Sequence, residues 1–271
     1  MNPDTWLDAI PLWGIFLLTV AIVMAAIKVG TYLGNHRRKK PDHESEASLG
    51  TIIGSTLALL GFLLVFTFGI AAERFDERKG LLLEEINAIG TTHLRAGLLP
   101  EPHKTEVRKL LREYVDLRVN LEAKVTKPNQ IRETEKKSEA LQQEMWKQAE
   151  ALSTSQRDAV SALFINSLND LIDLHTSRLT IFMYRIPMII WYVLYSSTVI
   201  SMLAVGYQAG ISGKKSFKNS IVLALTFTVV IMLVMDLDRA VSGTLRVSQK
   251  PMQQLRLKLK HTTELEPWLN E

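Results

Sequence analysis

The sequence predicts an all-α membrane protein: four transmembrane helices with a helical extramembrane bundle between spans two and three. Three observations carry that prediction. Apolar residues make up 47% of the 271, yet they are gathered into blocks instead of being spread along the chain. Residues 9–27, 47–72, 186–213 and 219–235 contain no charged side chain, over 19, 26, 28 and 17 residues, where a hydrocarbon core requires roughly 20. Between the second and third blocks runs a segment, 73–178, rich in both signs of charge and carrying the three-and-four spacing of amphipathic helices.

Residues 1–72 read as a first transmembrane hairpin, with spans at about 9–28 and 49–72. Span one is preceded by Asp4 and Asp8 and by no Lys or Arg, which is the reverse of a cleavable leader's basic start, so it is expected to be kept. Residues 179–239 read as a second hairpin, with spans at about 186–210 and 219–236, and 240–271 as a C-terminal tail. The loop after span one carries Lys28, Arg37, Arg38, Lys39 and Lys40, and the one after span three Lys214, Lys215 and Lys218. Short cationic loops stay in the cytoplasm, so both termini and 73–178 are expected outside it.

The segment 73–178 is broken at Pro100 and Pro102, again at Pro128, and has Ser and Thr caps for a restart at 151–156. Its first helix should run unbroken from span two through Leu99, about 50 residues and roughly 75 Å. Between the breaks, Leu110, Leu111, Tyr114, Leu117, Arg118 and Leu121 follow one apolar face, with Lys109, Arg112, Glu113 and Asp116 on the other. The last helix, from about Ser153, should lead directly into span three, kinked by Pro187.

The chain has no cysteine, which removes disulfides, thiolate metal sites and thiol nucleophiles. It has no glycine-rich phosphate loop, HExxH or GxSxG, so neither an enzyme nor a cofactor is expected. The net charge of +4 fits loop asymmetry better than nucleic-acid binding. Membrane lipid is the partner that the apolar spans imply.

Three stretches, EEINAIGTTHLRAGLLPEP at 84–102, LNDLIDLHTSR at 168–178 and DLDRAVSGTLRVSQKPM at 236–252, resemble the bacterial bestrophin-like membrane family, long carried as a domain of unknown function. Ala240 departs from the proline common after DLDR in that family. The name carries a further resemblance to the bestrophin anion channels. These are pentamers whose second span lines the pore through apolar residues four apart, followed by an arginine and aromatics, with the termini and helical domain in the cytoplasm. On this chain the resemblance implies a bacterial inner-membrane protein with a pore neck at Ala58, Phe62 and Phe66. The pore mouth would be at Glu73, Arg74 and Arg78, with Arg74 as an anion-attracting ring beside Phe75. The plainer reading of the Phe residues is lipid or helix packing, and of the charges an exposed helix with i to i+4 pairs. The acidic calcium-binding run of animal bestrophins is missing.

Gly50 and Gly54 form a GxxxG close-packing face. Arg185, beside Tyr184, is placed to snorkel, and Asp236, Asp238 and Arg239 to form an ion pair at the membrane interface. A polar cluster is expected from Glu84, Glu85, Asn87 and His93 on the first extramembrane helix with Asn166, Asn169, Asp170, Asp173 and His175 on the last. It reads as a buried hydrogen-bond network in preference to a metal site, with Asn87, Asn169 and Asp173 buried among apolar neighbours. Two functions follow: an oligomeric anion or small-solute channel, or a non-conducting membrane scaffold or stress sensor whose helical domain binds a partner.

Overall fold

The computed structural model describes residues 10–39, 46–124, 128–155, 158–213, 217–239 and 243–269. The described residues form α1 (Leu12–Arg38), α2 (Glu46–Ala96), α3 (His103–Lys124), α4 (Pro128–Ser155), α5 (Ala159–Met183), α6 (Met188–Ser212), α7 (Phe217–Asp238) and α8 (Lys250–Leu269). Four helical stretches, in α1, α2, α5–α6 and α7, are long and apolar enough to cross a membrane. The chain is an all-α membrane protein. It divides into two compact units, Met1–Phe75 with Tyr184–Leu245, and Asp76–Met183 with Arg246–Glu271. Ala240, Lys40, Lys214 and Lys215 lie outside the described residues.

The first unit is built on α1 and α6. Gly30 and Gly34 of α1 meet Gly206 and Gly210 of α6 so closely that a Cβ on any of the four would overlap a backbone carbonyl of the other helix, Leu203, Tyr207, Ile27 or Thr31. Small residues let two membrane helices approach backbone to backbone, where dispersion contacts hold them. The expected face, Gly50 and Gly54, makes no such contact within the chain. Gly50 meets only the Gln208 amide nitrogen at 3.4 Å, and Gly54 meets nothing within 4 Å. Thr19 and Tyr195 add a hydroxyl pair at 3.0 Å, and Val23, Leu60, Leu64, Trp191, Leu194, Ile231 and Val234 fill the core.

Pro187 ends a helix where a kink was expected. It lacks an N–H and its ring crowds the carbonyl four residues back; α5 accordingly stops at Met183, and α6 starts afresh at Met188 with Pro187 as its N-cap. At the other end Gly213 takes φ +67, the left-handed C-terminal turn that glycine adopts without strain.

The second unit packs the C-terminal part of α2 with α3, α4, α5 and α8 around Leu82, Ile89, Leu111, Tyr114, Met145, Leu152, Phe164, Leu168 and Leu171. The residues expected as a tail include α8, which buries Met252, Leu255 and Leu259 in this core at three-and-four spacing. The hydroxyls at 153–155 do not cap the restart. Ser153 and Thr154 bond back to Glu150 O at 2.8 and 3.0 Å, while Asp158 Oδ1 accepts the Ser161 N–H at 2.7 Å and caps α5.

α2 is one uninterrupted helix of 51 residues, about 76 Å at 1.5 Å per residue. It stops at Ala96, three residues before the expected end, in a tight turn of i to i+3 bonds from Gly97, Leu98 and Leu99. Counting about 100° per residue, every buried residue of α2 from Leu49 to Ala96 lies within about 50° of one direction.

Candidate functional site

The outward stripe of α2 stands opposite that buried one. Ala58, Phe62, Phe66, Glu73, Asp76, Glu84 and Asn87 are all exposed and share an arc of about 80° at helical spacing. Phe62 and Phe66 are 66% and 58% exposed, their rings stacked with centroids 6.5 Å apart. Arg74 and Arg78 do not belong to this stripe. They sit about 100° or more around the helix from the Phe pair; Arg74 is half-buried and Arg78 buried. The face continuing past the Phe residues therefore carries carboxylates, from Glu73, Asp76 and Glu84; of the implied mouth residues it includes Glu73 and neither arginine. Glu77 is exposed at its edge.

The second unit encloses a buried ionic cluster. Glu85 is 0% exposed and faces Arg178 and Arg118, themselves 3% and 5% exposed. Arg178 Nη1 bonds and ion-pairs with Glu85 Oε2, and Arg118 Nε lies 3.4 Å from Oε1. The Tyr114 hydroxyl donates to Glu85 Oε1 at 2.7 Å and lies 3.1 Å from His175 Nδ1. With the phenol proton committed to Glu85, His175 Nδ1–H is the donor to the Tyr114 oxygen, and its Nε2 is left buried without a partner.

The electrostatics follow from one carboxylate between two guanidinium groups. Burial alone would push the Glu85 carboxyl up. Arg118 and Arg178, with the hydrogen bonds from Tyr114 and Arg178, more than offset this and hold it below the usual carboxylate range. Burial first, then the positive charge of Arg118, lowers the His175 imidazole to about 4. Burial followed by the Glu85 charge pushes the Tyr114 phenol well above its ordinary value. His93 is buried elsewhere on α2 and is likewise lowered to about 4, by burial and then by Arg108 and Arg112.

The expected polar cluster is thus only partly brought together. Glu85 and His175 meet through Tyr114, and Thr92 Oγ1 ties α2 to α5 at 2.9 Å from Ser167 O. Glu84, Asn87, Asn166, Asn169, Asp170 and Asp173 are exposed, against the expected burial, and Asn169 bonds Asp173 at 3.2 Å along the surface of α5. The physical reason is that apolar neighbours in sequence point about 100° away on a helix. Among the described residues no group of three or more His, Asp or Glu side chains could hold a metal ion.

The charges ending α7 are engaged with backbone. Asp236 accepts from the Thr244 N–H at 2.8 Å, the Leu245 N–H at 3.2 Å and the Thr244 hydroxyl, which ties Thr244 and Leu245 to the end of α7. Asp238 Oδ1 accepts the Ile186 N–H at 3.0 Å, and Arg185 Nη1 donates to Asp238 O at 2.7 Å, turning inward where snorkelling was expected. Arg239 Nη2 donates to Ile10 O at 2.7 Å. Sequence reasoning missed Tyr114, Arg118 and Arg178 as site residues. The signal was an arginine at an apolar-face position of α3, together with the arginine that closes LNDLIDLHTSR.

These features define a multi-pass all-α membrane protein whose helical unit is held around a buried carboxylate with two arginines. Residues 18–252 match the Bestrophin-like domain, and the chain belongs to that family. Solved structures give the same fold. A crystal structure of a bacterial bestrophin homolog from Klebsiella pneumoniae carrying a single substitution has a TM-score of 0.65 at 15% identity, over 92% of this chain and 98% of that one. Another from the same organism, determined by Zn-SAD phasing, has a TM-score of 0.62 at 15% identity over 90% and 94%. A crystal structure described only as a membrane protein variant has a TM-score of 0.63 at 15% identity over 94% and 97%. No curated protein matches the chain in sequence.

Proposed function

We propose that copies of this chain assemble in a bacterial inner membrane into a channel whose pore is lined by the outward stripe of α2, with Phe62 and Phe66 as its neck. The observation that carries the reading is the continuity of that stripe, from exposed aromatic residues in the span to exposed carboxylates beyond it. A ring of Phe gates by expelling water from a narrow apolar constriction, and rings of Asp or Glu concentrate cations. The acidic face therefore favours small cations over the anions that Arg74 was expected to attract.

Purified protein in liposomes should pass sodium or potassium ahead of chloride. Replacing both Phe62 and Phe66 with Ala should widen and wet the neck, raising the flux while oligomer size stays unchanged. Intact oligomers of the native chain and of this double variant that pass no ion would overturn the channel and leave the scaffold reading. Orientation is a separate point, on which the loop cations and bestrophin kinship disagree. An active phosphatase fused at Glu271 supports termini outside the cytoplasm. A fluorescent fusion there supports termini inside.

A further inference from the structure

Within the second unit, α3 and α8 line an open recess of about 400 Å³. Lys109 and Arg112 line it from α3, and Arg256 and Lys260 from α8, against the two carboxylates of Glu113 and Asp116. Arg256 donates to Asp116 across the groove, which fixes the guanidinium in the wall and joins the two helices. Val115 and Leu259, both buried, make the floor. Four cations over two carboxylates on an apolar floor form an electropositive recess, and the floor's low polarity strengthens its field.

We propose that this recess binds a phosphate-bearing anion, either a small phosphorylated solute or the headgroup of an acidic phospholipid. Arg112 and Lys260, with the guanidinium nitrogens of Arg256 other than the Nε bound to Asp116, supply the donors that phosphate oxygens take, the planar fork of guanidinium and the point charge of ammonium, while Lys109 lies 3.4 Å from Glu106. The lining charge of +2 matches a phosphate dianion. The volume is in the range of small-ligand sites, which excludes a folded partner from the recess itself. No residue of the α2 stripe lines the recess, so the proposal stands whether or not the chain conducts.

The test uses the full chain, delipidated in detergent micelles, titrated calorimetrically with inorganic pyrophosphate at low salt. Saturable binding of one ion per chain is expected. Substituting Arg112→Gln with Lys260→Gln should weaken it about tenfold or more, with thermal unfolding unchanged. Lys260→Glu, at an exposed position, gives the same readout if the double variant does not fold. Lys137→Gln, whose lysine pairs with Glu133 on α4, should bind as the native chain does. Nanodiscs separate the two sources. Pyrophosphate binding blocked in phosphatidylglycerol discs and kept in phosphatidylcholine discs identifies a lipid headgroup, and equal binding in both identifies a soluble solute. No saturable binding in micelles, or binding untouched by both the Arg112/Lys260 pair and Lys260→Glu, would overturn the proposal.

Discussion

Replacing Glu85 with Ala should be among the most damaging single changes in the helical unit. The native cluster holds one carboxylate and two guanidinium groups, a net charge of +1 at sites no more than 5% exposed. The substitution raises this to +2 and takes the Glu85 oxygens away from Arg118 and Arg178. Breaking a buried pair by removing one partner costs about 3 to 5 kcal/mol. Tyr114 adds little to this once His175 shifts its proton to Nε2, which leaves Nδ1, 3.1 Å away, free to accept from the hydroxyl. Against a domain stability of about 5 to 15 kcal/mol, the loss is a large fraction. Amide hydrogen exchange on the full chain in micelles, read across residues 107–119 and 164–178, reports this unit apart from the spans. Protection there should fall by the stated amount. Adding Arg178→Met should recover part of it, because the net buried charge returns to +1, with a coupling energy of about 1 to 3 kcal/mol. A Glu85→Ala chain whose protection changes by less than about 0.5 kcal/mol, the range of a neutral surface substitution, would refute the reasoning.

Two further changes test the buried histidines and the glycine contact. His93 and His175 are held at about 4, against about 6.5 for an ordinary imidazole. The unfolded chain therefore binds more protons between those values, and stability falls as pH drops from about 6.5 to 4, by up to about 1.4 kcal/mol per pH unit for each histidine. The depressed Glu85 carboxyl adds its loss at lower pH still, as the solution passes through its folded value. Unfolding midpoints measured across this window should show a shallower slope for His93→Gln and for His175→Gln, and an unchanged slope in both would reject the assignment. Gly206→Ala should cost about 1 to 3 kcal/mol by forcing α1 and α6 apart, read as a lower unfolding midpoint in detergent. Gly54→Ala, with nothing within 4 Å in the chain, should leave that midpoint unchanged.

The spans were legible because a run of membrane length without a single charge is too apolar for most surfaces a soluble helix presents, and the continuity of α2 because no proline interrupts 46–96. What was not legible was rotation. Glu84 and Glu85 are identical neighbours, yet one is exposed and the other fully buried, since a single residue turns the helix by about 100°. A turn of similar size separates Phe66 from Arg74, so the arginine that the resemblance implied at the pore mouth falls outside the stripe. Only tertiary contacts fix which side faces inward. Glycine pairing was ambiguous for a related reason: three GxxxG repeats are present, at Gly30–Gly34, Gly50–Gly54 and Gly206–Gly210, and the motif does not say which two will meet. The fold of α8 was overlooked because it follows the last span, although Met252, Leu255 and Leu259 already carried helical spacing.

The glycine contact between α1 and α6 also sets an order of events during synthesis. Thr19 and Tyr195, which pair beside it, are 176 residues apart in the chain. At the elongation rate of living cells, about 5 to 20 residues per second, α1 waits roughly 10 to 35 seconds before the helix that fits its glycine face has been made. Through that interval Gly30 and Gly34 have lipid, span two or the span of another nascent chain to lie against. The seam that brings the first and third spans together is thus among the last to close, and until then the membrane unit exists only as separately inserted helices.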